Sequence, residues 1–478
     1  MDIPLIKALQ KHQKNNPTSL HVPGHKNGQV FHPALSDFSP VLPYDVTELD
    51  GLDDLHAPTG IILEAQQAAA RLYQTAETLF LVGGTTVGNL AMMYGLFEQG
   101  DVVFIQRNSH KSIFHAAQIA GVTPVLLSPE FDSETGMAVG LKKETLEEAM
   151  RQYPEAKGLV LTYPNYYGVS LPLQPIIEYA KQNKLLVLVD EAHAAHYCLG
   201  SPFPPSTLEL GADVAVQSAH KMLPALTMSS FLHMSDKLNH PMRHSIKEAL
   251  AMFQSSSPSY LLMASLDAAR AYVESLEEIK IKRILAGVEQ VKKELAKIKQ
   301  IQVVNWSDSY LLDPLKVTIR TTTKLTGFEL QSIFYQHHLY TELADENHVL
   351  LVFGLGEQTF PENVWNELAS TLSPFEVRTK TIAKTVDVGC NRIKKLERSA
   401  KQLRSLPKKK INLQDAVGMI AAEAIIPYPP GIPIVLPGEK VDRQLINEIE
   451  TLKQAGARFQ SEQELKSVWI VDSEDGHE

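Results

Sequence analysis

LLVLVDEAHAAH, residues 185–196, opens on an unbroken apolar run and stops at a carboxylate. A strand exposed on one face would alternate apolar with polar residues, so this run fits a strand covered on both faces. Such strands belong to parallel sheets flanked by helices, and the neighbouring sequence repeats the pattern. TLFLV (78–82), DVVFI (101–105), TPVLL (123–127), GLVLTY (158–163) and ADVAV (212–216) read as further strands. Amphipathic stretches such as ETLEEAMRQYP and PIIEYAKQNK lie between them. The alternation predicts an α/β fold with a mostly parallel sheet.

Beyond SSSPSY (255–260), a long helical pattern over 261–298 leads to a second, smaller α/β unit. Its strands are expected near IQVV, LKVTIR and HVLLVF, and its helices near GFELQSIFYQH and NVWNELAST. The stretch 375–411 is charged and linker-like, and a C-terminal segment around EAIIPYPPGIPIVLPGE follows. The 478 residues are 44% hydrophobic and 21% charged, which supplies apolar material for two or more cores.

Composition narrows the classes of function. Cys198 and Cys390 are the only cysteines, too few for a disulfide framework, and MDIPLIKALQKHQKNNP lacks a secretory h-region. Runs such as LLVLVD and AVGMIAAEAII end well short of the ~20 residues of a membrane span. A cytoplasmic protein without membrane insertion is expected. The net charge of −10 disfavours nucleic-acid binding, where phosphate contacts dominate affinity. A basic run (Arg392, Lys394, Lys395, Arg398, Lys401, Arg404, Lys408 to Lys410) has no interleaved aromatics and reads as a solvated helix and tail.

Ligands of open α/β sheets sit beyond the carboxyl ends of the strands, and four sequence features fall there. VGGTTVGN (82–89) offers glycine backbone, the Thr85 and Thr86 hydroxyls and a helix N-terminus, which together suit a phosphate. It is neither a Walker A loop nor a GxGxxG fingerprint, and a turn that only caps its helix remains an alternative. Asp190 ends its strand as a carboxylate needing a partner, either a helix N-terminus or a cationic ring nitrogen. His193 and His196 lack the accompanying ligands of a metal motif, so no metal is expected. In DVAVQSAHKM (213–222), Lys221 follows Ser218 and His220 and is either a surface charge or an amine able to form a Schiff base. His110 in QRNSHKSIFHAA (106–117) is either a loop histidine or a flat ring for stacking. A phosphate cradle, an acid for a pyridinium nitrogen and a strand-end lysine are together the parts that hold pyridoxal 5′-phosphate.

With those residues in place, the sequence resembles the bacterial Orn/Lys/Arg decarboxylases over nearly its whole length. The resemblance runs through HVPGHKNG (21–28), DVTELDGLDDLHAPTG (45–60), VGGTTVGN, RNSHKS, YPNYYGV, VLVDEAH, QSAHK, SSSPSY and IIPYPPGIPIVLPGE. It implies a fold-type I, aspartate aminotransferase-like large domain, a small α/β domain and a C-terminal segment. The division it suggests is an N-terminal arm (1–30), a large PLP-binding domain (31–260), an interdomain helix with the small domain (261–375), and a linker with the C-terminal domain (376–478). By the same resemblance, Lys221 attaches pyridoxal 5′-phosphate, Asp190 pairs with its ring nitrogen and His110 stacks on the ring. Thr85, Thr86, Ser218 and His220 hold the phosphate, Ser257 reaches the phosphate of a neighbouring subunit, and His193 lies close to the cofactor. A homodimer or higher homo-oligomer with shared sites follows. Tyr163, Asn165 and Ala194 depart from the family pattern, where Asn, Thr and Gly are usual, at positions expected beside the cofactor. The start of the chain just ahead of HVPGHK suggests the short form, without a wing domain.

The implied activity is decarboxylation of a basic amino acid, arginine first and lysine or ornithine second, to the amine and CO2, feeding polyamine metabolism. Asp53, Asp54, Glu342, Asp345 and Glu346 are candidates to meet the substrate's distal cation. The alternatives are another fold-type I activity, an aminotransferase or aldolase, or a non-catalytic protein on the same fold. An aminotransferase would anchor the substrate carboxylate with an arginine, for which Arg320 is the candidate.

Overall fold

The computed structural model describes residues 2–378, 392–428, 431–460 and 465–472; Cys390 lies outside them. The chain divides into two compact units, 1–97 with 186–281 and 98–185 with 282–478.

In the first unit the strand order is Glu77–Leu81, Ser230–Met234, Val214–Gln217, Leu186–Asp190. The last two run parallel and the other pairings are antiparallel. Every residue of Val214–Gln217 and of Ser230–Met234 is buried, as the apolar run ADVAV predicts for the former. Ser230–Met234 is a strand that was not singled out from the sequence. The helix Gly84–Leu96 covers this sheet and packs on His240–Phe253. Gly88 lets it approach, since a Cβ there would fall 2.5 Å from Val216 and 2.7 Å from Leu81. The helical pattern over 261–298 is two helices, Tyr260–Glu274 and Glu278–Ala296, the first capped by the Ser259 side chain.

The N-terminal helix Pro4–Lys14 is tied to the first of these through a buried pair. Arg270 and Asp267 are 2% and 0% exposed and 2.5 Å apart. Asp267 also accepts Leu5 N–H at 3.1 Å, and Arg270 donates to Asp2 O at 2.6 Å.

In the second unit, Gly158–Thr162, Val102–Gln106 and Thr123–Leu127 are parallel neighbours in that order. Ile393–Lys395 adds an antiparallel strand on Thr123–Leu127. The small domain is an antiparallel sheet ordered Ile301–Val303, Lys316–Thr321, His348–Val352, Leu343–Ala344, with helices Gly327–Gln336 and Val364–Leu372. Thr326 and Glu329 start the first helix with a capping box.

The described part of 375–411 is more than a linker, since it forms two strands and a short helix, while every residue of the basic run except Lys394 is exposed, as a solvated face is. Lys394 reaches the buried Glu439 at 2.9 Å, and Lys408–Asn412 pairs with Ser467–Val471, where Lys410 lies over Trp469. Long lysine stems cover apolar surface while their charge stays solvated, which a reading by charge alone overlooks. Leu413, Ala421, Ile425, Val435, Ile446, Val468 and Ile470 are among the residues that give this C-terminal segment its own core. Among the described residues, no helix is long and apolar enough to cross a membrane.

Candidate active site

The first unit brings most of the expected residues to the ends of Leu186–Asp190 and Val214–Gln217. Asp190 is 3% exposed, and a carboxylate so buried needs donors. Asn89 Nδ2 donates to Asp190 Oδ2 at 2.9 Å, and Ala192 N–H donates to Oδ1 at 3.2 Å. Asn89 was not singled out from sequence. Its only signal was its place at the end of VGGTTVGN, one turn into the helix that Gly88 brings against the sheet.

After Asp190 the chain turns, and His193 Nε2 comes to 3.2 Å from Lys221 Nζ. His193 and His196 point to different partners. The ring of His196 packs edge-on against Tyr197 and Phe203, with centroids 4.9 Å away in each case.

Lys221 sits in the short helix Ala219–Met222, directly after the strand Val214–Gln217. Ser218, 1% exposed, shares a hydrogen bond of 3.0 Å with Thr85 Oγ1. The N-cap of Gly84–Leu96 is Gly83 and no side chain caps its first turn, so the Thr85 and Thr86 hydroxyls are not spent as caps. A Cβ built at Gly84 would meet nothing within 4 Å, so the turn opens onto space rather than protein. His220 Nδ1 faces Ser229 O at 3.1 Å, which makes Nδ1 the donor and turns Nε2 to other partners.

Behind the site runs a buried polar chain. Glu191 is fully buried, and its carboxylate accepts from Thr207 N–H, Gln217 Nε2 at 2.7 Å and the Ser206 hydroxyl. Burial pushes its carboxyl up despite these donors. Gln217 Oε1 therefore faces His233 Nε2, at 3.1 Å, so the ring proton sits on Nε2. His233 Nδ1 then accepts from Thr78 at 2.8 Å. Burial pushes the His233 pKa down to about 3, which keeps the ring neutral. The chain ties together four strands of the first unit, two of which end at Asp190 and just before Ser218.

Other expectations change. Burial pushes the Asp53 carboxyl up, but backbone N–H groups of Thr59, Gly60, Asp54 and Ile62 outweigh it and hold it below its ordinary value. Asp53 organises its own loop. Asp345 is similar: burial raises it, but His348, Tyr167 and Asn347 N–H outweigh that and hold it low. Tyr167 donates to it at 2.5 Å and His348 Nδ1 lies 3.1 Å away. Asn165 closes its own turn, donating to Ala138 O at 2.7 Å and accepting Val169 N–H at 2.9 Å. Ala194 is buried in the turn that follows Asp190.

Arg320 gives Nε to Gln302 at 2.9 Å and Nη1 to Glu134 O at 3.4 Å, which leaves it poorly placed as a carboxylate anchor. Ser257 is exposed and lines a cavity of about 430 Å³ with Val22, Pro23, Asp45 and Thr47. His110 belongs to the second unit, where it caps Lys111–Ala120 and accepts Ser112 N–H.

The donor set of the first unit fits pyridoxal 5′-phosphate. It places an amine beside an imidazole, a fixed buried carboxylate, and hydroxyls at an uncapped helix N-terminus.

Comparison with known proteins bears on the family and the fold. Residues 3–309 match the model of the Orn/Lys/Arg decarboxylase major domain, and residues 392–476 match that of the family's C-terminal domain. The uncharacterized protein YaaO of Bacillus subtilis (strain 168) is 45% identical over 478 residues, covering 98% of each chain. An arginine decarboxylase of the same strain is 33% identical over 469 residues, 96% of this chain and 95% of its own. The crystal structure of the Francisella novicida lysine decarboxylase LdcF superposes with a TM-score of 0.79 at 18% identity, over 98% of this chain and 81% of that one. That likeness shows the fold, which is the fold-type I architecture the resemblance implied. On these matches the chain belongs to the Orn/Lys/Arg decarboxylases, a family of pyridoxal-phosphate-dependent amino-acid decarboxylases.

Proposed function

We propose that this chain decarboxylates arginine, with lysine or ornithine as the next substrates, to the corresponding amine and CO2, and so feeds polyamine metabolism in the cytoplasm. The observation that carries the reading is the 3.2 Å approach of Lys221 Nζ to His193 Nε2 beside a carboxylate fixed by Asn89. Arginine ranks first because relatives 30–33% identical bear the name arginine decarboxylase.

Bound pyridoxal 5′-phosphate supplies an electron sink for the pair left when the Cα–carboxylate bond breaks. Lys221 attaches it, and only the neutral amine is nucleophilic, so His193 Nε2 is placed to take the proton from Nζ. Asp190 pairs with the ring nitrogen and keeps its proton there. Thr85, Thr86, Ser218 and His220 hold the phosphate, and His220 donates to it through Nε2 only when its ring carries both protons. Lys221 or His193 returns a proton at Cα. His110 would stack on the ring.

A homodimer with shared sites, in which Ser257 reaches the partner's phosphate, is supported by the apolar surface of the N-terminal arm. Leu20, Val22 and Val30 of the arm are 92, 64 and 64% exposed, and Phe38 just beyond it is 61% exposed. The engagement of Arg320 weighs against an aminotransferase.

The test is incubation of the protein and cofactor with arginine, lysine and ornithine separately, measuring CO2, amine and keto acid. CO2 and amine in equal amounts, fastest with arginine, are expected. A keto acid without CO2 overturns the reaction, and inactivity on all three overturns the catalytic reading.

A further inference from the structure

The described residues of the motif IIPYPPGIPIVLPGE have no part in the site described above, yet within the second unit 431–439 meet the loop that carries His110. Arg107 makes the main joint. Its guanidinium donates to Pro433 O at 2.7 Å and to Ile434 O at 2.6 Å, and meets Glu439 at 3.1 Å. Glu439 is only 3% exposed and is also met by Lys394, so its charge is paired on two sides. A planar guanidinium engaged at three points fixes direction as well as distance. Lys111 adds a second joint, donating its backbone N–H to Gly431 O at 3.1 Å and its Nζ to Gln460 Oε1 at 2.6 Å.

Between these joints the Gly431 backbone lies against the His110 ring. A Cβ built at Gly431 would fall 3.1 Å from His110 Nε2 and 3.2 Å from Cδ2. The φ of +87° there suits glycine and strains any other residue. On the opposite edge, His110 Nδ1 lies 2.8 Å from Ser112 Oγ and accepts Ser112 N–H at 3.3 Å. The ring is therefore confined along both edges.

We propose that the Gly431 turn of the C-terminal segment is a positioning element that sets the plane of the His110 ring against the cofactor. This rests on the assignment of His110 to the cofactor made in the preceding subsection.

The test compares Gly431→Ala with Gly418→Ala. Gly418 has a φ of +85°, and a Cβ there meets nothing within 4 Å, so it carries the same backbone strain without a histidine to displace. The readouts are cofactor half-saturation and the visible circular dichroism of the bound cofactor. Gly431→Ala is expected to weaken cofactor binding about five- to tenfold, the loss of one stacking contact, and to shift the dichroism. Gly418→Ala should stay within about twofold of wild type. The His110→Ala/Gly431→Ala double variant should be no weaker than His110→Ala alone, because the glycine acts through the ring.

Gly431→Ala indistinguishable from Gly418→Ala, or losses that multiply in the double variant, overturn the proposal. His110→Ala with wild-type binding and dichroism overturns the His110 assignment and the proposal with it. Where Gly431→Ala fails to fold, Arg107→Met releases the same segment without adding a Cβ. It is expected to shift the same two readings, and wild-type values for it overturn the proposal.

Discussion

Lys221 Nζ and His193 Nε2 lie 3.2 Å apart, the lysine just past one strand and the histidine on the turn that leaves the neighbouring one. The two strands are parallel, with Asp190 paired in register to Val216, so a fixed sheet holds both residues. A proton can pass directly between the two nitrogens. His193→Ala should lower kcat by about 10²-fold or more, as loss of a general base does, while cofactor stays attached at Lys221. Steady-state rates and the visible absorbance of the purified variant check both halves, and a normal kcat sinks the role given to His193.

Asn89 holds Asp190 through a buried hydrogen bond to a charged group. Such bonds contribute about 1.5–3 kcal/mol, so Asn89→Ala should cost about 10- to 100-fold in kcat with a smaller change in KM. Asn89→Asp should be worse, because a second carboxylate beside Asp190 favours protonating one of the pair. Equal activity of the two variants would argue that Asn89 only fills space.

His233 gives a pH signature. Its folded pKa lies near 3, below the ordinary histidine value of about 6.5, so the unfolded chain binds the extra proton between those limits. Stability contributed by this group is present above about pH 6.5 and is lost as pH falls, by up to about 1.4 kcal/mol per unit. His233→Gln keeps a donor and an acceptor but cannot titrate. Denaturant unfolding between pH 5 and 7.5 should show a shallower loss for the variant than for wild type; parallel curves would contradict the assignment.

Arg270 and Asp267 form a buried pair that anchors the N-terminal helix. Burial pushes the Asp267 carboxyl above its ordinary value despite Arg270, so it tolerates loss of its partner poorly. Arg270→Met should destabilise the chain by about 3–5 kcal/mol, and Arg270→Met with Asp267→Leu should recover much of it. Thermal melting measures both, and limited proteolysis should show cleavage in residues 4–14 of the single variant first.

The sheet was legible because strands buried on both faces leave long apolar runs, and Lys221, Asp190 and VGGTTVGN were legible because they fall where those runs end. Asn89 was not, since a neutral amide carries no signal until the fold places it against Asp190. For Asp53 and Asp345 the charge shows in the sequence, but the local donors that engage it do not. In the basic run, Lys394 and Lys410 were placed by Glu439 and Trp469, partners far away in the chain.

The central claim is covalent attachment of pyridoxal 5′-phosphate at Lys221. Borohydride reduction of the protein with bound cofactor, followed by peptide mass spectrometry, measures it directly. The account expects one reduced pyridoxyl adduct, on the peptide containing Lys221, and none in Lys221→Ala. An adduct on another lysine such as Lys111, or no adduct from protein saturated with cofactor, would contradict it.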